Sequence, residues 1–261
     1  MRLWLVELES HEQRYTGQWK QYLPALLEGA AQERGKDVEI VRVGAEAETQ
    51  EPTKGAFLNF AKTNVFKSRQ AIEIANAFDA GEVKPGDLFL VTDAWNPCVI
   101  MIRYMSDLLK VPVKIHGIWH AGSYDPADFL GREIKNKTWS YLFEQSLVEC
   151  YDLNYVATNF HQRMMTNALK PGSTDWAKIV RTGFPFEFLK EELANYSDME
   201  KEDLILFPHR IAPEKQLDIF NFVCEMLPDY KYVVCQEQNL TKEEYHRLLG
   251  RARLVFSANL Q

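Results

Sequence analysis

Short apolar runs of strand length alternate with amphipathic stretches of helix length along the whole of this 261-residue chain. That alternation constrains the fold most, because strands buried on both faces read as continuous Val, Ile and Leu runs and need helices to cover them. Strands are expected near residues 2–7, 38–43, 87–92, 112–118, 153–157, 178–182, 204–208, 231–235 and 253–257. Helices are expected near 17–34, 66–80, 96–109, 137–150, 160–169, 214–227 and 241–250. Gly35 after the first helix and Pro228 after Met226-Leu227 are suitable stops. The fold class is therefore α/β with largely parallel sheets.

The pattern breaks between residues 184 and 203, where Phe184-Pro-Phe-Glu187 leads into an acidic, polar stretch from Lys190 to Asp203. A fresh strand, Leu204-Ile-Leu-Phe-Pro208, then opens a second β-α-β series. Two Rossmann-like units follow: residues 1–185, a linker 186–203, and residues 204–261. The second has only three candidate strands and two helices, which leaves one sheet face without a covering layer. It reads as the first part of a larger domain.

Composition narrows the partners. With 30 Lys+Arg against 37 Asp+Glu the net charge is −7, so the chain as a whole repels a polyphosphate backbone. Lys54, Lys62, Lys67 and Arg69 fall in one stretch that could follow such a backbone, but they read better as a solvated helix face. Cys98, Cys150, Cys224 and Cys235 are scattered without metal-ligand spacing, which suits free thiols in a reducing compartment. No apolar stretch reaches the roughly 18 residues of a membrane span, and a cytoplasmic location is expected.

In open parallel sheets, ligands bind beyond the carboxyl ends of the strands. After the first strand, Thr16-Gly17 stands just before a helix expected to start near Gln18, where backbone N–H groups can meet an anion or a sugar hydroxyl. The spacing is not G-x-G-x-x-G. After the third strand, Asp93 and Asn96 are candidate hydroxyl contacts, although both suit a plain helix cap. The densest cluster is Ile115-His-Gly-Ile-Trp-His-Ala-Gly-Ser-Tyr-Asp-Pro126, in which His120 is the candidate catalytic residue and Trp119 or Tyr124 a stacking surface. After the seventh strand, Arg210 and Lys215 converge on a helix N-terminus, an arrangement suited to a diphosphate. Lys215 is placed in the first helical turn, where it opposes the dipole and is explained more easily by a bound anion. Ser257, after the ninth strand, is a weaker candidate nucleoside contact.

The stretch Leu204-Ile-Leu-Phe-Pro-His-Arg-Ile-Ala-Pro-Glu-Lys-Gln-Leu-Asp-Ile-Phe220 resembles the opening of the nucleotide-binding domain in two-domain GT-B glycosyltransferases, particularly retaining ones. The resemblance implies a nucleotide-sugar donor as co-substrate, no required metal, and diphosphate neutralisation by Arg210 and Lys215. It further implies that His120 acts on the sugar or acceptor and that Thr16-Gly17 faces the donor. The family's next element, a loop and helix with paired acids, is missing where the sequence stops at Gln261, so the resemblance implies a truncated enzyme of low activity. The acceptor is open, a modified nucleic-acid base included. A non-catalytic binding module on the same scaffold is the alternative.

Overall fold

A computed structural model describes residues 2–11, 14–44, 58–135, 137–169 and 176–259, so Lys54 and Gln261 lie outside the described residues. The chain divides into two compact α/β units, Met1–Phe184 and Pro185–Gln261.

The first unit is built on a wholly parallel six-stranded sheet: β1 (Arg2–Val6), β2 (Glu39–Val43), β3 (Leu88–Val91), β4 (Lys114–Trp119), β5 (Leu153–Val156) and β6 (Ile179–Arg181). Their order in space is β2-β1-β3-β4-β5-β6. Strand β1 sits inside the sheet, and its Leu3, Trp4, Leu5 and Val6 are all buried. It therefore carries apolar side chains on both faces and none of the alternation of a half-exposed strand. The crossovers include α1 (Tyr15–Gln32), α2 (Phe60–Asp79), α3 (Cys98–Leu108), α4 (Phe129–Ile134), α5 (Thr138–Cys150) and α6 (Asn159–Leu169).

Two of these helices start earlier than expected. Helix α2 begins at Phe60 because Asn59 caps it, its side chain accepting from the Lys62 N–H. Helix α1 begins at Tyr15, which puts Thr16 and Gly17 inside its first turn rather than in a preceding loop.

In the second unit β7 (Glu202–Phe207), β8 (Lys231–Val234) and β9 (Ala252–Val255) form a parallel sheet in the order β8-β7-β9. The expectation of an uncovered face is not met. Ile205 and Phe207 pack with Phe220 of α8 (Leu217–Met226), while Leu204 and Leu206 pack toward Tyr245, Leu248 and Leu249 of α9 (Lys242–Arg251). One helix per face is enough for so narrow a sheet. Residues 186–203, expected as a linker, are folded into this unit. They carry α7 (Leu189–Leu193) and a 3-10 turn Ala194–Tyr196, and the Tyr196 carbonyl lies where a Cβ on Gly250 would stand, 2.6 Å away.

Candidate functional site

The strand order of the first unit reverses between β1 and β3: the chain moves outward to β2 and then returns past β1. At such a switch point the loops leaving two adjacent strands diverge and open a crevice at their carboxyl ends. A pocket of 130 Å³ lies there, with Glu9 after β1, Asp93 and Trp95 after β3, His120 after β4, and Tyr15 and Lys67 from the helices facing them. Its volume falls below the roughly 300–1,000 Å³ of pockets that enclose a drug-sized ligand, which suits a single ring or group.

The loop after β3 forms one wall and is tied at nearly every residue. Thr92 Oγ1 accepts from the Leu8 N–H at 2.8 Å and donates to the Val6 carbonyl at 3.0 Å, fastening the ends of β1 and β3 together. Asp93 Oδ1 accepts from the Trp95 N–H at 3.3 Å, and Asp93 Oδ2 lies 2.7 Å from Lys67 Nζ. Lys67 also donates to the Trp95 carbonyl at 2.6 Å. The Trp95 indole donates at 2.8 Å to Glu144, a buried carboxylate on α5 that also accepts from the Ser123 N–H and hydroxyl. Gln70 of α2, fully buried, donates to the carbonyls of Glu7 and Val43 at the ends of β1 and β2. A wall held this way has little conformational freedom left to lose on binding.

Burial would raise the Asp93 carboxyl, but the Lys67 ammonium, the neighbouring His120 ring and the hydrogen bonds from Lys67 and the Trp95 N–H together outweigh it and hold the group below its ordinary range. Burial pushes the Glu144 carboxyl up and lowers the His120 imidazole.

His120 Nε2 lies 2.7 Å from the Thr92 carbonyl, which can only accept, so Nε2 carries the proton. Nδ1 is then the acceptor for the Tyr15 hydroxyl at 2.8 Å. With both nitrogens engaged, and with the rings of Tyr15, Trp19 and Phe184 within 5.8 Å centroid to centroid, the imidazole orients Tyr15 rather than presenting a nitrogen to a ligand. Burial pushes the Tyr15 phenol up to about 12.

His120, Asp93 and Thr16 thus come together on the pocket wall, Thr16 accepting from the His11 N–H at 3.0 Å. Other candidates go elsewhere. Asn96 is buried as a local cap, accepting from the Cys98 N–H at 3.0 Å and donating to Gln70. Trp119 is fully buried with its indole donating to Asn154, so it offers no stacking face. Tyr124 does not line this pocket but a second one with Ser123 and Glu144, and its hydroxyl is hydrogen-bonded with His161 Nε2 at 2.6 Å. Gly17 sits in α1, its N–H bonded to the Arg14 carbonyl. Lys67 corrects the reading of a solvated helix face: Lys62 and Arg69 are exposed, but Lys67 is turned inward and only 9% of its side chain is accessible. Tyr15, Trp95 and Glu144 were not singled out by sequence as a set, because each acts through a partner far away in the chain.

The second unit has its own switch point, between β7 and β9. Arg210 leaves β7 there, and Ser257 follows β9 as an exposed residue, the Phe256 N–H bonding the Leu206 carbonyl beside it. Lys215 is not in the first turn of α8. Pro213–Lys215 form a separate 3-10 turn, and Gln216 adopts a left-handed backbone (φ 52°) before α8 opens at Leu217. The dipole argument for an anion at Lys215 therefore does not hold as first made. Arg210 is paired with the buried carboxylate of Glu214.

Among the described residues no group of three or more His, Cys, Asp or Glu is placed to hold a metal ion, and no helix is long and apolar enough to cross a membrane.

No protein-family model matches the chain, and no curated protein matches its sequence. Solved structures similar in shape include the following two. Sucrose-phosphate synthase from Thermosynechococcus elongatus is 12% identical over 99% of this chain and 71% of its own, with a TM-score of 0.47. LpCGTa in complex with UDP is 11% identical over 100% of this chain and 71% of its own, with a TM-score of 0.44. The fold itself rests on the two strand orders.

Proposed function

We propose that the chain carries the machinery of a nucleotide-sugar-dependent glycosyltransferase of the GT-B kind. The observation that supports this most is the presence of two parallel sheets, each with its own switch point, the first lined by a polar pocket and the second followed in sequence by Arg210 and Lys215. The pocket around Asp93 and Tyr15 suits a hydroxyl-bearing group, and the cations Arg210 and Lys215 after β7 are of the type that suits a diphosphate. In this reading the first unit orients an acceptor or sugar hydroxyl, and Arg210 and Lys215 stabilise the departing nucleoside diphosphate electrostatically, with no metal needed for that step. The donor base, the donor sugar and the acceptor are not specified by these residues.

One observation favours the alternative of a non-catalytic binding module: Arg210 already has a carboxylate partner in Glu214. The two readings separate in a screen of nucleotide-sugar turnover and nucleoside-diphosphate binding. The glycosyltransferase reading expects Arg210→Ala and Lys215→Ala each to weaken diphosphate binding by about tenfold to a hundredfold, the loss of one to two charge-assisted contacts. Unchanged diphosphate affinity in both variants refutes the assignment.

A further inference from the structure

We propose that the switch-point pocket of the first unit binds one uncharged, hydroxyl-bearing ring through the carboxylate of Asp93, and that Lys67 is the positioning residue that holds this carboxylate for it. The proposal deepens the glycosyl-transfer reading, on which it rests for the kind of ligand.

The ion pair is asymmetric. Lys67 is the more enclosed partner, 9% accessible against 25% for Asp93, and its ammonium is used internally, at 2.7 Å from Asp93 Oδ2 and 2.6 Å from the Trp95 carbonyl. Asp93 is the partner with the more accessible side chain, and it lies on the pocket wall. A carboxylate only accepts hydrogen bonds, so its natural partner is a donor such as a ligand hydroxyl.

Charge decides against an anion. Among the described residues the wall carries three acids, Glu9, Asp93 and Asp128, against two bases, Arg14 and Lys67, with the His120 ring beside them, and Lys67 faces inward. A phosphate or carboxylate entering here would find the Lys67 ammonium already engaged by Asp93 and the Trp95 carbonyl, and would meet Glu9 at short range. A full positive charge gains little either, because Lys67 already neutralises Asp93. Glu9 is occupied by the Thr63 hydroxyl, and the Asp128 carboxyl is pushed up by burial. What remains is polar recognition of hydroxyls beside an apolar surface made by Leu8, Phe60, Trp95 and Leu130, the mixture that fits a ring with one apolar face and a polar edge.

The test is ligand-observed NMR on the whole chain. The probes are methyl glycosides of several neutral hexoses, together with the matching uronates, hexose 6-phosphates and amino sugars. At least one neutral glycoside is expected to bind, with its uronate and phosphate weaker by about tenfold or more. Asp93→Asn should weaken neutral binding by about tenfold, as should Lys67→Met, while Lys67→Arg keeps it. Because Lys67→Met leaves an unpaired carboxylate that can prevent folding, the double variant K67M/D93N, which removes both charges of this pair, is measured beside it and should be folded but weak. The proposal is overturned if no neutral glycoside binds, if an anionic or amino form binds more tightly, or if neutral binding survives Asp93→Asn. Glycoside binding that depends on Asp93, in a chain that neither binds nor turns over nucleotide sugars, would sink the transferase reading and leave the pocket assignment standing. Turnover with no Asp93 dependence would do the reverse.

Discussion

Lys67→Met is the sharpest probe of the first unit. It removes an ammonium that lies 2.7 Å from Asp93 in a site where 9% of the lysine and 25% of the aspartate side chain are accessible. Breaking one member of a buried pair costs about 3–5 kcal/mol, because the remaining charge stays desolvated and uncompensated. Asp93 keeps some solvent access, so the lower end, about 3 kcal/mol, is expected. That is a large part of a domain's stability of about 5–15 kcal/mol. Urea unfolding followed by tryptophan fluorescence reads the effect in the first unit alone, because all six tryptophans fall between Trp4 and Trp176. With a slope of about 1–3 kcal/mol/M, the midpoint should fall by roughly 1–3 M.

The pH dependence carries the sign. Burial by itself would raise the Asp93 carboxyl, and Lys67, with the other neighbours, lowers it below its ordinary value. The stability from this depressed group is present above the unfolded-state value of about 3.9 and is lost as pH falls through the folded-state value. Without Lys67 the carboxyl rises and protonates earlier, which relieves the penalty. The gap between parent and variant should therefore be widest near neutrality and narrow on acidification. Adding Asp93→Asn to Lys67→Met should recover most of the loss at neutral pH. A cost below about 1 kcal/mol, or a gap that does not change with pH, would refute the reasoning.

Two further outcomes are expected. Burial lowers His161 to about 4 from its ordinary 6.5, and its Nε2 is hydrogen-bonded with the Tyr124 hydroxyl. A base held neutral by the fold loses stability as pH drops from about 6.5 toward 4, by about 3 kcal/mol in total. His161→Gln should flatten that part of the pH–stability curve measured by tryptophan fluorescence; an unchanged slope would show that other groups carry it. On β4, an added Cβ at Gly117 would lie 2.7 Å from the Tyr151 ring and 3.0 Å from Ala94. Gly117→Ala should cost about 1–3 kcal/mol as overpacking, visible as a lower urea midpoint, and a neutral result would mean that the Tyr151 ring shifts freely.

The strands were legible because a strand buried on both faces has no choice of side chain: Leu3-Trp-Leu-Val6 and Leu204-Ile-Leu-Phe207 read as apolar without interruption. The short helices α4 and α7 were not, since six and five residues give too little of the 3.6-residue period to register. The turn at Pro213–Lys215 reads as helix in sequence, yet Gln216 takes a left-handed backbone that no local pattern announces. Its consequence is chemical as well as geometric, because it moves Lys215 off α8.

Location of the candidate site was easier to read than its chemistry. Strand-end position placed His120, Asp93 and Thr16 at one crevice, because the carboxyl ends of parallel strands lie side by side. Which atoms act there depends on partners far apart in sequence. Lys67 and Asp93 are 26 positions apart, and Tyr15 and His120 meet across 105 residues. A lysine on an amphipathic helix reads as a solvated charge until its helix is laid over the end of a strand that carries an acid. A histidine beside glycines reads as a group that polarises a substrate oxygen, while here both of its nitrogens have partners within the fold. The two cases share a cause: local sequence gives the type of a polar group, and the group it faces decides whether that type is spent on the fold or left for a ligand. On that criterion Asp93, held by Lys67 and still open to the pocket, has the stronger claim to ligand contact, and His120 the stronger claim to holding Tyr15 in place.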